Sequence, residues 1–191
     1  NIFLILILII GSFLRIYNIN FEDLWIDEIS TFWISNPNID FETSYKNNSS
    51  LEVQPFFYNF LMKIYFSFLG YNVDYGRYVS AIFSTLSILS VSYISWTISK
   101  NKSYLLTAFL VSFNIFLISY AQELRVYSIL FFFISLTIIF ILQSLKEENF
   151  FNIFFLNFAF IFSIFLHPFS LILLFSTILY LLLIFLVKKI L

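Results

Sequence analysis

The chain has 191 residues, of which 61% are hydrophobic, 23% are aromatic and only 11% are charged. Soluble domains carry roughly 25% charged residues, so this composition indicates a membrane protein. The formal net charge of −1 offers no basic field for nucleic acid, and the lack of cysteine excludes disulfides, thiolate catalysis and cysteine-ligated metals.

Six apolar segments approach the roughly 20 residues that a helix needs to cross a bilayer core about 30 Å thick. They cover residues 2–17, 78–99, 104–120, 126–145, 150–166 and 169–187. Backbone groups find no water inside a bilayer, so such spans must be helical. We therefore expect an all-α fold, a polytopic bundle of transmembrane helices in the cell membrane.

One long connection, residues 18–77, separates the first two spans and forms the first outer loop. Residues 22–35 place apolar side chains at helical spacing, and Asn20 followed by Asp23 predicts the start of a helix. Residues 55–69 form a second apolar stretch. Both predicted helices are typical of segments that lie in the membrane interface. If the second one crosses the membrane instead, every later loop changes side.

Charge placement predicts an orientation with the N-terminus inside. Five lysines then lie at the inner ends of the spans, in agreement with the positive-inside rule: Lys100, Lys102, Lys146, Lys188 and Lys189. All three arginines (Arg15, Arg77 and Arg125) and most of the acids fall outside. Arginine binds phosphate through two donors, whereas lysine acts as a point charge. The outer surface therefore suits a phosphorylated lipid head group.

An acidic pair, Asp27-Glu28, lies just beyond the first span. It can supply a general base, a carboxylate that orients an acceptor, or a metal ligand. Adjacent residues on a helix point about 100° apart, so one carboxylate would face a catalytic cavity and the other a neighbour. The alternative is that both carboxylates solvate the polar face of an interfacial helix.

A second polar cluster, Tyr120 to Ser128, places Glu123 and Arg125 between two spans. Arg125 at the mouth of a span suits phosphate binding. The alternative is a polar hairpin cap that contains a local Glu123–Arg125 pair.

Two weaker candidates lie elsewhere on the outer side. Gln54 precedes a proline-initiated helix whose free backbone donors favour anions, although the proline alone explains the helix start. His167 is the only histidine and lies at the outer end of a span, where it contacts a head group or serves the fold. No metal site is predicted, since one histidine with these neighbours does not make a zinc site. Binding of a divalent cation by carboxylates is an alternative.

Five motifs follow one another along the chain. They are Leu14-Arg15-Ile16-Tyr17, Leu24-Trp25-Ile26-Asp27-Glu28, Gln54-Pro55-Phe56-Phe57, Gly76-Arg77-Tyr78-Val79-Ser80-Ala81, and Tyr120 to Ser128. In this order they resemble the polytopic GT-C glycosyltransferases, within them the protein O-mannosyltransferase and aminoarabinose-transferase-like branch. Phe56 departs from that pattern, because it replaces the second proline of a Pro-Pro pair. Such enzymes have more spans, so the likeness implies the N-terminal transmembrane catalytic domain of a longer protein.

The resemblance implies transfer of a sugar from a polyprenyl-phosphate donor to a protein, lipid or glycan acceptor, with inversion, on the outer face. Asp27 would take the proton of the acceptor or orient it, and Glu28 would support acceptor or sugar binding. Arg125, with Arg77, would hold the lipid phosphate. The weaker candidates to line the same cavity are Gln54, Glu123 and His167.

Three other interpretations stay open. An oligosaccharyltransferase-like enzyme would require a divalent metal. A non-catalytic protein that binds or flips polyprenyl lipids would need its arginines but tolerate loss of Asp27. A structural membrane scaffold would tolerate changes at both places.

Overall fold

The computed structural model describes residues 2–147, 149–173 and 175–180, and the only regular secondary structure in those residues is helix. The first part of the chain forms α1 (Ile2–Ile16), α2 (Ile26–Ile34), α3 (Phe41–Leu51) and α4 (Phe57–Leu69). The second part forms α5 (Val73–Ser99), α6 (Ser103–Ser112), α7 (Ile115–Ala121), α8 (Tyr127–Ser144) and α9 (Phe150–Leu166). A further helix, α10, covers Ser170–Tyr180. The all-α prediction is confirmed for the described residues.

Two of these helices, α5 with 27 residues and α8 with 18, are long and apolar enough to cross a membrane. The pair α6 and α7 makes a third candidate, although the two helices are bent by 56°. The helices α1, α9 and α10 are apolar but shorter, and the end of the predicted span 169–187 lies outside the described residues. Two or three candidate spans thus indicate a membrane protein. The count of six spans and their orientation stay predictions.

The predicted span 104–120 is interrupted rather than continuous. Its second half restarts as α7 at a cap formed by Asn114, whose side chain accepts a backbone N–H of the new helix at 3.1 Å. The break exposes carbonyls at the end of α6. Arg15, which is fully buried, donates to those of Val111 and Ser112 at 3.0 and 3.1 Å. A cation inside the bundle therefore satisfies a helix end, where the helix dipole favours positive charge.

The helix predicted at residues 22–35 is shorter than expected, because α2 begins only at Ile26. The backbone carbonyl of Glu22 accepts a hydrogen bond from Arg77 at 2.9 Å, which holds the preceding segment outside the helix. Asn20 and Asp23 therefore do not start α2.

The first outer loop also contains a helix that the apolar pattern does not predict. Helix α3 is polar and begins at Asp40, whose side chain accepts a backbone N–H in its first turn at 2.9 Å. The helix predicted at residues 55–69 is confirmed as α4. Lys63 on α4 donates to the carbonyls of Asn36 and Ile39 and so ties α4 to the α2–α3 connection.

The main buried core lies where α4, α8 and α9 meet the segment between α7 and α8. This segment, residues 122–126, is called the central turn below. The core consists of Tyr58, Met62, Phe66, Leu124, Val126, Ile129, Leu130, Phe133, Ala159 and Leu166. Two of these residues belong to the central turn, so packing of the core also sets the position of the turn.

Candidate functional site

Side chains from several helices hold the central turn in place. Gln122 donates to two carbonyls at the end of α1, at 3.2 and 2.9 Å. Ser80 on α5 donates to the carbonyl of Arg125 at 3.3 Å. These hydrogen bonds therefore fix the position of the turn, which carries the Leu124 N–H and the Arg125 side chain.

Gly76 allows α5 to approach this turn closely. A Cβ atom at that position would lie 2.3 Å from Cδ1 of Leu124 and 3.1 Å from the ring of Phe66. Arg77 and Ser80, on the same stretch of α5, both bind partners around the turn. Gly76 and Ser80 thus place this stretch of α5 against the turn.

The two carboxylates of the acidic pair point in different directions, as expected of neighbours on a helix. The Asp27 side chain is 43% exposed, whereas that of Glu28 is 1% exposed. Both lie in the first turn of α2, where the helix dipole favours negative charge. The two acids therefore have different surroundings and different partners.

Glu28 forms a buried ion pair with Arg77. Its oxygens accept from Nε and Nη2 of Arg77 at 3.0 and 2.8 Å, and Oε1 also accepts the Leu124 N–H at 2.6 Å. Nη1 of Arg77 donates to the carbonyls of Ile19 and Glu22, both at 2.9 Å. This network joins α2, α5 and the central turn.

Arg125 reaches the other side of α2. Its Nη1 and Nη2 donate to both oxygens of Glu52 at 2.9 and 3.3 Å, and Nη1 also donates to Thr31 at 2.8 Å. The Asp27 carboxylate lies 3.7 Å from Nη2. Burial lowers the pKa of Arg125, but the hydrogen-bonded Glu52 carboxylate outweighs this and raises the pKa above its ordinary value. Arg125 is therefore a charged donor flanked by two acids.

A cavity of about 220 Å³, called the Asp27 cavity, opens beside this cluster. It is lined by Asp27, Leu51, Glu52, Val53, Gln54, Arg125, Tyr127 and His167. The Gln54 amide donates to Glu52 at 3.2 Å. Nε of Arg125 is buried and has no acceptor, and leaving such a donor unmet costs about 1–3 kcal/mol. An oxyanion that reached this nitrogen would remove that cost.

His167 closes one end of the Asp27 cavity, directly after α9. Its Nδ1 accepts the Phe169 N–H at 3.2 Å, which assigns the remaining proton of a neutral ring to Nε2. Burial, followed by the charge of Arg125, lowers the pKa of His167 below its ordinary value. The ring is therefore neutral near pH 7 and offers one N–H donor.

A second cavity, of about 650 Å³, lies on the other side of α2 and is called the acidic cavity. Glu22, Asp23, Glu28, Arg77 and Glu123 line it, together with apolar residues of α7. Burial, followed by the charge of nearby Glu28, raises the pKa of Glu123 to about 7. This carboxyl is therefore partly protonated at neutral pH.

The predicted site residues thus divide between two cavities. Four of them line the Asp27 cavity, namely Asp27, Gln54, Arg125 and His167, and three line the acidic cavity, namely Glu28, Arg77 and Glu123. The predicted roles stay predictions. In the described part of the chain Arg125 forms ion pairs with Asp27 and Glu52, and the local Glu123–Arg125 pair is not formed.

Sequence reasoning misses Glu52, the main partner of Arg125. Glu52 is one of several acids in the outer loop, and no spacing marks it. The available signal is indirect: a cation at the mouth of a span needs a counter-ion, and Glu52 is the acid nearest to Gln54 in sequence.

Among the described residues, no group of three or more His, Cys, Asp or Glu side chains is arranged to hold a metal ion. No protein-family model, curated protein or solved structure matches this chain. The described residues therefore form an all-α fold with two or three candidate membrane spans, in which acids and guanidinium groups pair beside two cavities.

Proposed function

We propose that this protein is a membrane glycosyltransferase that moves a sugar from a polyprenyl-phosphate donor to an acceptor on the outer face of the cell membrane. The observation that carries the proposal is the placement of a half-exposed Asp27 carboxylate 3.7 Å from Arg125 in one cavity. A carboxylate that can act as a base thus lies beside a cation that can bind phosphate. The likeness to GT-C transferases supports the same reading, since all five of its motifs contribute contacts at the central turn or the Asp27 cavity.

The reaction needs one bond to form and one to break at the anomeric carbon. The acceptor oxygen attacks this carbon while the bond to the phosphate oxygen breaks, and the bonding electrons leave with the polyprenyl phosphate. Asp27 takes the acceptor proton as general base. Arg125 stabilises the charge that develops on the phosphate. Because phosphate is already a good leaving group, positioning suffices and one direct displacement inverts the anomeric centre.

The surrounding residues have distinct parts in this proposal. Glu52 accepts hydrogen bonds from Nη1 and Nη2 of Arg125, and the unpaired Nε is a donor that a phosphate oxygen could meet. Gln54 and His167 line the same cavity and offer N–H donors to the head group or the sugar. Glu28 and Arg77 are positioning residues, because their ion pair fixes the turn that carries Arg125.

The test uses the full-length protein in liposomes with a panel of radiolabelled polyprenyl-phosphate sugars. Release of sugar and binding of donor are measured for wild type, Asp27→Asn and Arg125→Lys. The matched control is Asp74→Asn, which makes the same change at an acid outside both cavities. We expect Asp27→Asn to abolish release while donor binding persists, and Arg125→Lys to weaken donor binding.

Three other outcomes would contradict parts of the proposal. Equal release by wild type and Asp27→Asn would remove Asp27 from the chemistry. Donor binding without release by any form, across the acceptor classes, would overturn the transferase proposal in favour of a lipid-binding protein. Release that depends absolutely on an added divalent cation would favour the oligosaccharyltransferase-like alternative.

A further inference from the structure

Two adjoining cavities lie at the end of α5 and α8 that is remote from Asp27. Trp96 lies about 28 Å further along α5 than Arg77, at 1.5 Å per residue. That distance is close to the thickness of a bilayer core, about 30 Å, so the two ends of α5 reach opposite boundaries of a membrane that it spans. The two cavities measure about 400 and 410 Å³, and Tyr93 and Trp96 line both of them.

The first of these cavities, called the polar chamber, contains two lysines. The ammonium of Lys100 lies 3.7 Å from the centre of the Trp96 ring, and that of Lys146 lies 3.4 Å from the Thr97 carbonyl. Among the described residues neither lysine forms an ion pair. Among the described lining residues two lysines stand beside one acid, Glu147.

The polar chamber also holds groups that can donate hydrogen bonds. Thr97 is 8% exposed, and its hydroxyl has no hydrogen-bond partner. The first turn of α9 lines the same space through Asn149 and Asn152, where the helix dipole favours an anion although the Asn149 side chain already accepts the Asn152 N–H. Thr97 and the N-terminus of α9 therefore line the same chamber as the two lysines.

The second cavity, called the apolar chamber, is lined by Leu4, Leu89, Ser92 and Tyr104 besides the two shared aromatic residues. It lies between α1, α5 and the start of α6. Tyr and Trp favour the boundary between hydrocarbon and head groups, and here they form the wall between the two chambers. The chambers thus offer an anion site and an adjoining apolar slot.

We infer that these chambers bind an anionic phospholipid. The phosphate lies in the polar chamber beside Lys100 and Lys146, and an acyl chain lies in the apolar chamber against Leu4 and Leu89. The ammonium groups of Lys100 and Lys146 attract an anionic phosphodiester, whereas a zwitterionic head group brings a cation of its own. The lipid joins α1, α5, α6, α8 and α9 at the end of the bundle opposite to the Asp27 cavity. This site is independent of the proposed transferase activity.

The experiment measures binding of phosphatidylglycerol and phosphatidylcholine to the full-length protein in neutral detergent by native mass spectrometry. We expect phosphatidylglycerol to bind at least tenfold more tightly than phosphatidylcholine. Lys100→Gln with Lys146→Gln should lower that affinity at least fivefold. Lys102→Gln, which removes a lysine next to the chamber but outside its lining, should leave it unchanged. Leu89→Trp, which fills the apolar chamber, should also weaken binding.

Three results would overturn the inference. Equal binding of the two lipids would indicate a non-specific lipid annulus. An equal loss in the Lys102→Gln variant would assign binding to general surface charge. Inorganic phosphate that competed at the same concentration as phosphatidylglycerol would show that the apolar chamber contributes nothing and that the ligand is a free anion.

Discussion

Glu28 and Arg77 face each other in a two-point ion pair, with oxygen–nitrogen distances of 3.0 and 2.8 Å and both side chains almost fully buried. The same carboxylate also accepts the Leu124 N–H. One side chain therefore connects α2, α5 and the central turn. Although Glu28 is adjacent to Asp27 in sequence, its contacts are those of a residue that builds the site.

We predict that breaking this pair destabilises the protein strongly. Glu28→Gln leaves the Arg77 guanidinium buried without a counter-ion, and loss of one partner of a buried pair costs about 3–5 kcal/mol. The measurement is the thermal unfolding midpoint in detergent. Changing Glu28 and Arg77 together should cost no more than the worse single change. The control is the exposed Glu42–Lys46 pair, whose loss should cost at most about 0.5 kcal/mol. A midpoint for Glu28→Gln equal to that of the control would contradict the prediction.

A second prediction rests on the proposed function and concerns competition between Glu52 and the phosphate of the proposed donor for Arg125. Both Glu52 oxygens lie on the guanidinium, so a phosphate meets a cation that is already neutralised. Glu52→Gln keeps the size of the side chain and removes its charge. We expect donor phosphate to bind about tenfold more tightly, which corresponds to about 1.4 kcal/mol. Glu42→Gln serves as the control for a loss of negative charge. Weaker binding by Glu52→Gln would instead assign Glu52 to holding Arg125 in place.

The third prediction concerns Glu123. Burial and the charge of Glu28 raise the pKa of this carboxyl from 4.5 to about 7. Between these two values the folded protein holds a proton that the unfolded chain has released. The contribution of Glu123 to the free energy of unfolding therefore falls as pH rises through this window. Glu123→Gln cannot ionise and removes this contribution. As pH rises from about 4.5 to 7, the unfolding midpoint of Glu123→Gln should rise relative to that of wild type.

The control for the pH series is Ile82→Ala, which changes no ionisable group and lies at an exposed position of α5. Its difference from wild type should stay constant with pH. A difference between Glu123→Gln and wild type that stays constant with pH would contradict the raised pKa.

The fourth prediction concerns Gly76, where α5 approaches the central turn. A methyl group there would overlap Leu124, at 2.3 Å from its Cδ1, so the helix and the turn must move apart. We expect Gly76→Ala to destabilise the protein by about 1–3 kcal/mol, as overpacking does. Donor binding should weaken too, because the turn carries Arg125. Ile82→Ala, at a half-exposed position of the same helix, should leave donor binding unchanged. Normal donor binding by Gly76→Ala would show that the turn tolerates the shift.

The sequence predicts some of the helices and not others, and the reasons are physical. Long apolar runs predict α5 and α8, because a membrane span is a local property of composition and length. Apolar runs do not predict helix α3, because it is polar. Its start depends on a single cap at Asp40. The interruption between α6 and α7 is also hidden, because Asn114 does not lower the hydropathy of a run enough to mark a break.

Sequence by itself predicted an all-α membrane protein and marked Asp27, Glu28 and Arg125 as candidate site residues, because charged groups are rare in so apolar a chain. Only the tertiary structure decided which acid meets which arginine. Glu28 pairs with Arg77 and Glu52 with Arg125, across long separations in sequence. Such pairings depend on how α2, α5 and the central turn pack in space, and side chains of like charge are equivalent until that packing fixes their distances. The division of the acidic pair between two cavities follows from the same packing.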